Sequence, residues 1–278
     1  MNELQKLIVR MGRLVPLRLR ERIIGDGYRP SWISTSIHSV LNRAATEKYP
    51  ILHCGGPLAG YRMKLSWERN RSFAYGSWEA ELVSLLSKRV KPGSTVMDIG
   101  AHIGYYTLIL SRLVGPTGRV FSFEPVPINF RFLCDNISLN NCANVQPINR
   151  AVTNAHQQIA FEMPEDDPLP GTVSFVESNV RGNLTVEAVS LDELFLSVPD
   201  RIDFLKVDVE GAEDKVLEGA RGLIARDHPN ILMEVHHFNG NLEERVTPAT
   251  LRELGYQIEQ LDHERLTSHF WAEWPEPK

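Results

Sequence analysis

The chain has 278 residues, of which 42% are hydrophobic and 23% charged, enough apolar sequence for one large α/β domain with a buried core. Its formal net charge of -5 argues against nucleic acid as the main partner, because phosphate-binding proteins usually carry a basic excess, although a local basic patch would be compatible with this charge. Cys54, Cys134 and Cys142 fit neither a disulfide framework nor a zinc site, so we expect a cytoplasmic protein. No apolar run reaches transmembrane length, and charges interrupt the N-terminal residues, so no signal peptide is expected.

The N-terminal segment predicts a helical extension. Apolar side chains recur at helical spacing over residues 4 to 15, while Lys6, Arg10 and Arg13 share the opposite face. Such a basic amphipathic helix either makes peripheral contact with an anionic membrane or packs on the main domain or a second subunit. We favour packing. A second helix is predicted over residues 34 to 47, and we place the boundary of the main domain after residue 55.

From residue 61 onward, strand-like and helix-like patterns alternate. Strands are predicted over residues 61–67, 95–99, 120–123, 145–148, 202–207, 230–235, 256–261 and 266–274, and helices over 78–90, 106–113, 127–139, 212–225 and 248–254. The alternation predicts a doubly wound α/β fold with a parallel sheet. The last two strands have no helix between them, which predicts an antiparallel C-terminal strand. Alternating residues within 156–190 predict a small inserted antiparallel unit.

The first motif joins a buried strand to a helix. The strand ends in Asp98-Ile99-Gly100, and Gly104 follows before the helix begins. Ligands in open α/β sheets bind at the carboxyl ends of strands. We expect Gly100 to let the backbone approach a ligand and Gly104 to allow the tight turn. The spacing is not Gly-x-Gly-x-x-Gly, which disfavours a dinucleotide pyrophosphate loop. A purely structural turn is the alternative interpretation.

The second motif is Phe123-Glu124-Pro125 at the end of the next strand. An acidic residue about 20 residues after the glycine loop is typical of a ribose site, because two hydroxyls can donate to one carboxylate. In isolation, a Glu-Pro pair would indicate only a solvated loop. The distance from Gly104 favours the ribose interpretation.

Carboxylates also follow the two strands predicted next in the sheet. Asp208 and Glu210 share one face if the strand continues, and Glu213 falls in a first helical turn, where it complements the helix dipole. Glu234 and His236 point to the same side of the following strand. Histidine titrates near neutral pH, so His236 is a candidate base, although a packed histidine is equally common.

Several segments together resemble the FkbM-type methyltransferases. They are Asp-Ile-Gly-Ala-His-Ile-Gly-Tyr-Tyr-Thr from residue 98, Phe-Glu-Pro from 123, Leu-Lys-Val-Asp-Val-Glu-Gly-Ala-Glu from 205 and Met-Glu-Val from 233. The resemblance covers roughly residues 60 to 240. It implies a seven-stranded Rossmann-like sheet, S-adenosyl-L-methionine as cofactor, and methylation of a hydroxyl on a sugar, a polysaccharide precursor or a natural product. His102 stands where the family usually has Asn.

The resemblance also implies roles for individual residues. Asp98, Gly100 and Gly104 would surround the methionine part of the cofactor, and Glu124 would bind its ribose. Asn149 and Ala151 would approach the adenine. Asp208 would face the sulfonium and the acceptor, and the candidate bases are Asp208, Glu210 and His236.

Two other functions are compatible with parts of the pattern. One is a nicotinamide-dependent oxidoreductase on a Rossmann sheet, and the other is a non-catalytic binding module that keeps the methyltransferase fold. The missing dinucleotide loop counts against the first, and the carboxylates at three strand ends count against the second. The acids of one cleft repel each other, and either a sulfonium or a divalent ion would compensate them. No compact metal motif is present, so we expect metal-independent catalysis.

Overall fold

The structure, a computed structural model, describes residues 48–163, 174–176, 183–236, 247–262 and 267–275. The helices predicted over residues 4–15 and 34–47, and the membrane contact considered for the first, lie outside these ranges. Within them, no helix is long and apolar enough to cross a membrane. The described chain forms two compact units. The first contains the residues up to Arg89 and Cys134–Cys142, and the second contains Val90–Leu133 and the residues from Ala143 onward.

The described part of the first unit up to Arg89 contains a short antiparallel hairpin, a 3₁₀ turn at Gly56–Leu58 and two α-helices. The strands and α-helices are β1 (Ile51–His53), β2 (Arg62–Lys64), α1 (Arg71–Tyr75) and α2 (Ala80–Arg89). The strand predicted over residues 61–67 is therefore shorter, and α1 was not predicted. The helix predicted from Trp78 begins only at Ala80. The domain boundary at residue 55 stays a prediction.

The second unit is built on a seven-stranded mixed sheet. Its elements are β3 (Thr95–Ile99), α3 (Tyr105–Val114), β4 (Arg119–Phe123), α4 (Pro127–Leu139), β5 (Val145–Ile148), β10 (Phe204–Val207), α6 (Glu213–Glu218), α7 (Arg221–Asp227), β11 (Asn230–His236), α8 (Thr247–Glu253), β12 (Gln257–Gln260) and β13 (Thr267–Glu273). The last turns of α4 belong to the first unit. The strand order is β12-β13-β11-β10-β3-β4-β5. Strands β5, β4, β3, β10 and β11 are parallel, whereas β13 is antiparallel to β11 and to β12. The doubly wound sheet and its antiparallel end are confirmed.

The inserted unit predicted within residues 156–190 is a separate four-stranded sheet. It consists of β6 (Ala151–Val152), β7 (Gln157–Glu162), β8 (Ser174–Val176) and β9 (Leu184–Val189), in the order β6-β9-β7-β8. β7 is antiparallel to both β8 and β9, as predicted, but β6 pairs with β9 in parallel. A small apolar cluster that includes Ile159, Phe161 and Val186 packs against this sheet.

The prediction of a single helix over residues 212–225 is wrong, because this stretch contains two separate helices, α6 and α7. A Cβ atom on Gly219 would lie 2.1 Å from the carbonyl oxygen of Thr153, so the chain approaches another segment closely here. α7 then begins anew, and its first free amides are bound by Asp192 in α5 (Leu191–Phe195). The carboxylate accepts from Gly222 N at 2.8 Å and from Leu223 N at 2.7 Å.

The main core lies between the central strands and these helices. Apolar residues of β3, β10 and β11 pack with side chains of α6 and α7 such as Val216, Leu217 and Leu223. β3, β10 and β11 bury nearly every residue, which is why their sequences are continuous apolar runs rather than alternating ones. The polar residues that interrupt these runs are therefore candidates for a site.

Candidate active site

The carboxyl ends of β3 and β10 meet where the strand order reverses. β3 is followed by β4 on one side, and β10 lies on its other side. Such a switch point is where open α/β sheets bind ligands. The loop after β3 packs closely on the end of β10. A Cβ atom on Gly100, whose φ is 84°, would lie 1.7 Å from the carbonyl oxygen of Asp208. Only glycine fits at position 100, because a larger residue would collide with the backbone at the end of β10. The sequence analysis did not predict this role.

Gly104 allows the turn into α3, as predicted. It is the N-terminal cap of α3, with φ 94°. A Cβ atom there would also lie 2.8 Å from Cδ1 of Leu133. The left-handed conformation favours glycine here, and a Cβ atom would in addition displace the Leu133 side chain.

A buried lysine lies between the aspartates of the two central strands. Nζ of Lys206 donates to Oδ2 of Asp208 at 3.0 Å and lies 3.9 Å from Oδ1 of Asp98. It also lies 5.0 Å from the ring centroid of Tyr106, a cation–π distance. Asp98 itself is fully buried and accepts from the Thr107 hydroxyl at 2.6 Å. The sequence analysis gave Lys206 no role, although it is the one charged residue of a buried apolar strand and comes two residues before Asp208.

The pKa values of the two aspartates are shifted in opposite directions. Burial raises the pKa of Asp98, and the nearby Lys206 only partly offsets this. Burial also opposes ionisation of Asp208, but the charges of Lys206 and His236 outweigh it and hold its pKa below the usual range. Asp208 is therefore an ionised and partly exposed carboxylate at neutral pH, with 29% of its side chain accessible.

Glu124 is a buried carboxylate that organises the loop after β3. It accepts hydrogen bonds from the backbone N–H of His102 at 2.8 Å and of Val126 at 2.9 Å. The Asn129 amide donates to it at 3.4 Å. Burial raises the pKa of Glu124 to about 7, although these donors favour the ionised form. The protonation state of Glu124 therefore changes near neutral pH.

His102 occupies the same loop in a left-handed conformation, with φ 50°. Its ring atom Nε2 is buried and has no hydrogen-bond partner among the residues that the structure describes. Burial lowers the pKa of His102 to about 4, so the ring is neutral at physiological pH. A buried polar atom without a partner is uncommon and indicates a place where a ligand can bind.

Asn149 and Ala151 lie on the segment after β5. The Asn149 amide donates to the carbonyl oxygens of Glu124 at 2.8 Å and of Pro125 at 3.1 Å. Its side chain therefore supports the Glu124 segment. Ala151 is buried in the apolar cluster of the small sheet. An approach of these two residues to adenine stays a prediction.

A second group of carboxylates surrounds His236 at the end of β11. Nδ1 of His236 lies 2.7 Å from Oε1 of Glu213, and Nε2 lies 3.1 Å from Oε2 of Glu210 and 3.8 Å from Oε1 of Glu234. β10 ends at Val207, so Glu210 is not on a continuing strand as the sequence analysis assumed. The turn after β10 brings Glu210 to the histidine instead.

Both ring nitrogens of His236 therefore face carboxylates. Burial opposes protonation of the ring, but the hydrogen bonds to Glu210 and Glu213 and the charges of Glu210 and Glu234 raise its pKa to about 11. Burial raises the pKa of Glu210, and the contact with His236 partly offsets this. At neutral pH His236 is an imidazolium that donates to both neighbouring acids.

The acids of this cleft are compensated by cations of the chain itself. Lys206 lies against Asp208, and His236 lies against Glu210 and Glu213. Ligand-type atoms of Asp208, Glu234 and His236 lie within 4.8 Å of one another, a spacing that could hold a metal ion. His236 would have to lose its proton and release a carboxylate to bind one.

A Rossmann-like methyltransferase domain has this strand order, this antiparallel end of the sheet and polar groups at the ends of the central strands. S-adenosylmethionine is the cofactor of this class of protein. The sequence model of the Methyltransferase FkbM domain matches residues 98–258, more than half of the chain. The chain belongs to this family.

The chain is also similar to individual named proteins. Methyltransferase 1 of Beauveria bassiana is 29% identical over 145 residues, which are 45% of this chain and 58% of that protein. The 31-O-demethyl-FK506 methyltransferase FkbM of Streptomyces tacrolimicus is 26% identical over 61% of this chain and 75% of its own length. The chain thus spans less than two thirds of the first of these relatives. A crystal structure of methyltransferase FkbM from Methylobacillus flagellatus KT is 17% identical, with a TM-score of 0.45, over 73% of this chain and 53% of that one.

Proposed function

We propose that the chain transfers a methyl group from S-adenosylmethionine to a hydroxyl oxygen of a small-molecule or saccharide acceptor. Its membership of the FkbM family supports methyl transfer over a nicotinamide-dependent oxidation. The name of the Streptomyces relative refers to an O-demethylated substrate, which supports oxygen as the methyl acceptor. The observation that carries the proposal is the ionised, partly exposed Asp208 at the strand switch point.

The polar groups of the β3 loop fit the donor molecule. Within the described residues, Asp98 Oδ1 and His102 Nε2 are buried and have no hydrogen-bond partner. The methionine part of S-adenosylmethionine carries an ammonium group, which could donate to Asp98. It also carries a carboxylate, which could accept a hydrogen bond from a neutral His102. Glu124 would accept from the ribose hydroxyls, and Asn149 and Ala151 would border the adenine. S-adenosylmethionine, when bound, supplies an electrophilic methyl group on a sulfonium.

The acceptor hydroxyl would bind at Asp208. An alcohol is a weak nucleophile until its proton begins to leave, so a carboxylate that accepts its hydrogen bond both orients and activates it. Asp208 is already ionised because Lys206 lies beside it. Glu210 has a raised pKa and is therefore the stronger proton acceptor of the two. His236 already donates to two carboxylates, which makes it a support for Glu210 rather than the base.

Substitution of Asp208 tests this assignment. Asp208→Asn keeps the shape and removes the charge, so turnover should fall by roughly 10² or more. The dissociation constant for S-adenosylhomocysteine should change much less. Turnover is measured with labelled S-adenosylmethionine against a panel of sugars and hydroxylated natural products. The matched control is Asp200→Asn, because Asp200 pairs with Arg119 near the amino ends of the strands. Normal turnover in Asp208→Asn would assign proton acceptance to Glu210.

The same assay tests metal dependence. Activity should survive EDTA, because Lys206 and His236 already compensate the acids of the cleft. Loss of activity in EDTA with recovery in Mg²⁺ would show that the cluster of Asp208, Glu234 and His236 holds a required ion.

A further inference from the structure

We propose that Glu213 is a positioning residue, which holds His236 against Glu210 and so fixes the turn that presents Glu210 to the acceptor. The inference rests on the proposed function of Asp208 and Glu210. Glu213, His236 and Glu210 are called the Glu213 triad below.

Glu213 is buried in a way that a helix-dipole role does not require. It stands in the first turn of α6, where an acid is ordinarily solvated, yet it is 0% exposed. Its Oε1 atom accepts from the backbone N–H of Gly211 at 2.9 Å and contacts Nδ1 of His236 at 2.7 Å. A buried carboxylate is costly unless such donors surround it. The structure thus assigns Glu213 to the turn and to the histidine.

The turn that Glu213 contacts is strained. Glu210 has φ 53° and Gly211 has φ 104°, so two consecutive residues are left-handed. For a residue with a side chain this conformation is unfavourable, and it persists only where the surroundings enforce it. Glu213 binds the backbone of the turn at Gly211, and His236 binds its side chain at Glu210. The triad therefore fixes both the path of the turn and the carboxylate that it carries.

The position of His236 connects the two acids, because Nδ1 lies 2.7 Å from Oε1 of Glu213 and Nε2 lies 3.1 Å from Oε2 of Glu210. An imidazolium donates from both nitrogens, whereas a neutral ring has only one N–H and would release either Glu210 or Glu213. Among the residues that the structure describes, Glu234 on the same strand and Asp208 after β10 also lie near the ring. His269 on β13 lies behind Glu234, at 3.4 Å from its Oε2. Removing the charge of Glu213 should therefore lower the pKa of His236 while Glu210 and Glu234 remain.

The experiment follows the His236 ring by nitrogen NMR in protein labelled with ¹⁵N-histidine. In the wild type, His236 should stay doubly protonated from pH 6 to 9. Glu213→Gln keeps the shape and an acceptor for Gly211, so the turn survives, but the His236 midpoint should fall by at least one pH unit. The pH–rate profile of this variant should acquire a decline above the new midpoint that the wild type lacks, which a purely structural residue would not produce.

A matched control is Glu193→Gln. Glu193 is also a glutamate in a first helical turn, and it lies 3.8 Å from a histidine, His156, but both side chains are exposed. This variant should leave the His236 midpoint unchanged. Titration of wild-type His236 between pH 6 and 9, or an unchanged midpoint in Glu213→Gln, would overturn the proposal. The wild-type titration decides the matter even if the variant does not fold. Failure of the wild type to bind S-adenosylhomocysteine would instead contradict the proposed function.

Discussion

At the scale of single residues, Lys206 balances the charges of the central strand ends. Its side chain is only 7% exposed, and its ammonium group lies between Asp98 and Asp208. Without it, Asp98 would lie fully buried beside a second acid, and the pKa values of both would rise. The lysine therefore keeps Asp208 ionised in an apolar setting.

We predict that Lys206→Met lowers the free energy of unfolding by about 3 to 5 kcal/mol at pH 7, because removing one partner of a buried ion pair leaves an uncompensated charge. Methionine retains the packing of the aliphatic stem. The loss should shrink as the pH falls, since the aspartates then become protonated in both states. Chemical denaturation measures both effects, with the exposed Lys88→Met as control, for which a change below about 0.5 kcal/mol is expected. A similarly small change in Lys206→Met would contradict this account of Lys206.

Individual roles at the site were only partly predictable from the sequence. Strand-end position and the interval to the glycine loop indicated Asp98, Glu124 and Asp208. Glu213 was assigned to the helix dipole, because nothing local shows that His236, 23 residues further on, is its partner. Such a pair becomes visible only when β10 and β11 lie side by side.

At the scale of elements, two asparagines at the C-terminal end of α4 pair with the backbone of β2 in the first unit: Asn136 in the last turn of the helix and Asn140 directly after it. Asn136 accepts from Lys64 N at 2.7 Å and donates to Lys64 O at 3.0 Å. Asn140, one helical turn later, does the same with Arg62, at 2.8 and 2.7 Å. The i, i+4 spacing in the helix thus matches the i, i+2 spacing in the strand. These amides satisfy backbone groups that would otherwise be unpaired at the edge of a two-stranded sheet.

We predict that Asn136→Ala lowers the free energy of unfolding by about 1 to 3 kcal/mol, because Asn136 is 0% exposed and two backbone groups of Lys64 would lose their partners. Asn140→Ala is the internal control. Its hydrogen bonds to Arg62 are exposed, so water replaces them and the loss should be smaller. Equal losses of unfolding free energy in the two variants, measured by chemical denaturation, would mean that burial does not determine how much these asparagine–backbone hydrogen bonds contribute to stability.

Element bounds were predictable where the pattern is local. The strands over 95–99 and 145–148 and the helix over 127–139 have the predicted limits, because apolar spacing and flanking glycine or proline determine them. The division between α6 and α7 was not predictable. It depends on the close approach of Gly219 to Thr153 and on the cap from Asp192, which are distant in sequence.

At the scale of the whole molecule, the order of strands explains why the polar groups converge. β3, β10 and β11 are neighbours and parallel, so their carboxyl ends meet at one edge. Carboxyl groups alternate with cations along that edge, from Asp98 and Lys206 to Asp208, and on to Glu210 and His236. The alternating pattern of strands and helices predicted this architecture. The compensation by Lys206 and His236 was not predicted, because the sequence analysis considered only a sulfonium or a metal.

The most direct test of the central claim, that this chain is an S-adenosylmethionine-dependent methyltransferase, is calorimetric titration of the folded protein with S-adenosylhomocysteine between pH 6 and 8.5. The ligand should bind, and its affinity should rise with pH through about 7, because the ionised form of Glu124 accepts from the ribose hydroxyls. Glu124→Gln should weaken binding by roughly 10- to 100-fold, the equivalent of a lost charge-assisted hydrogen bond, and should remove the pH dependence. Absence of heat with both S-adenosylhomocysteine and S-adenosylmethionine would contradict the central claim.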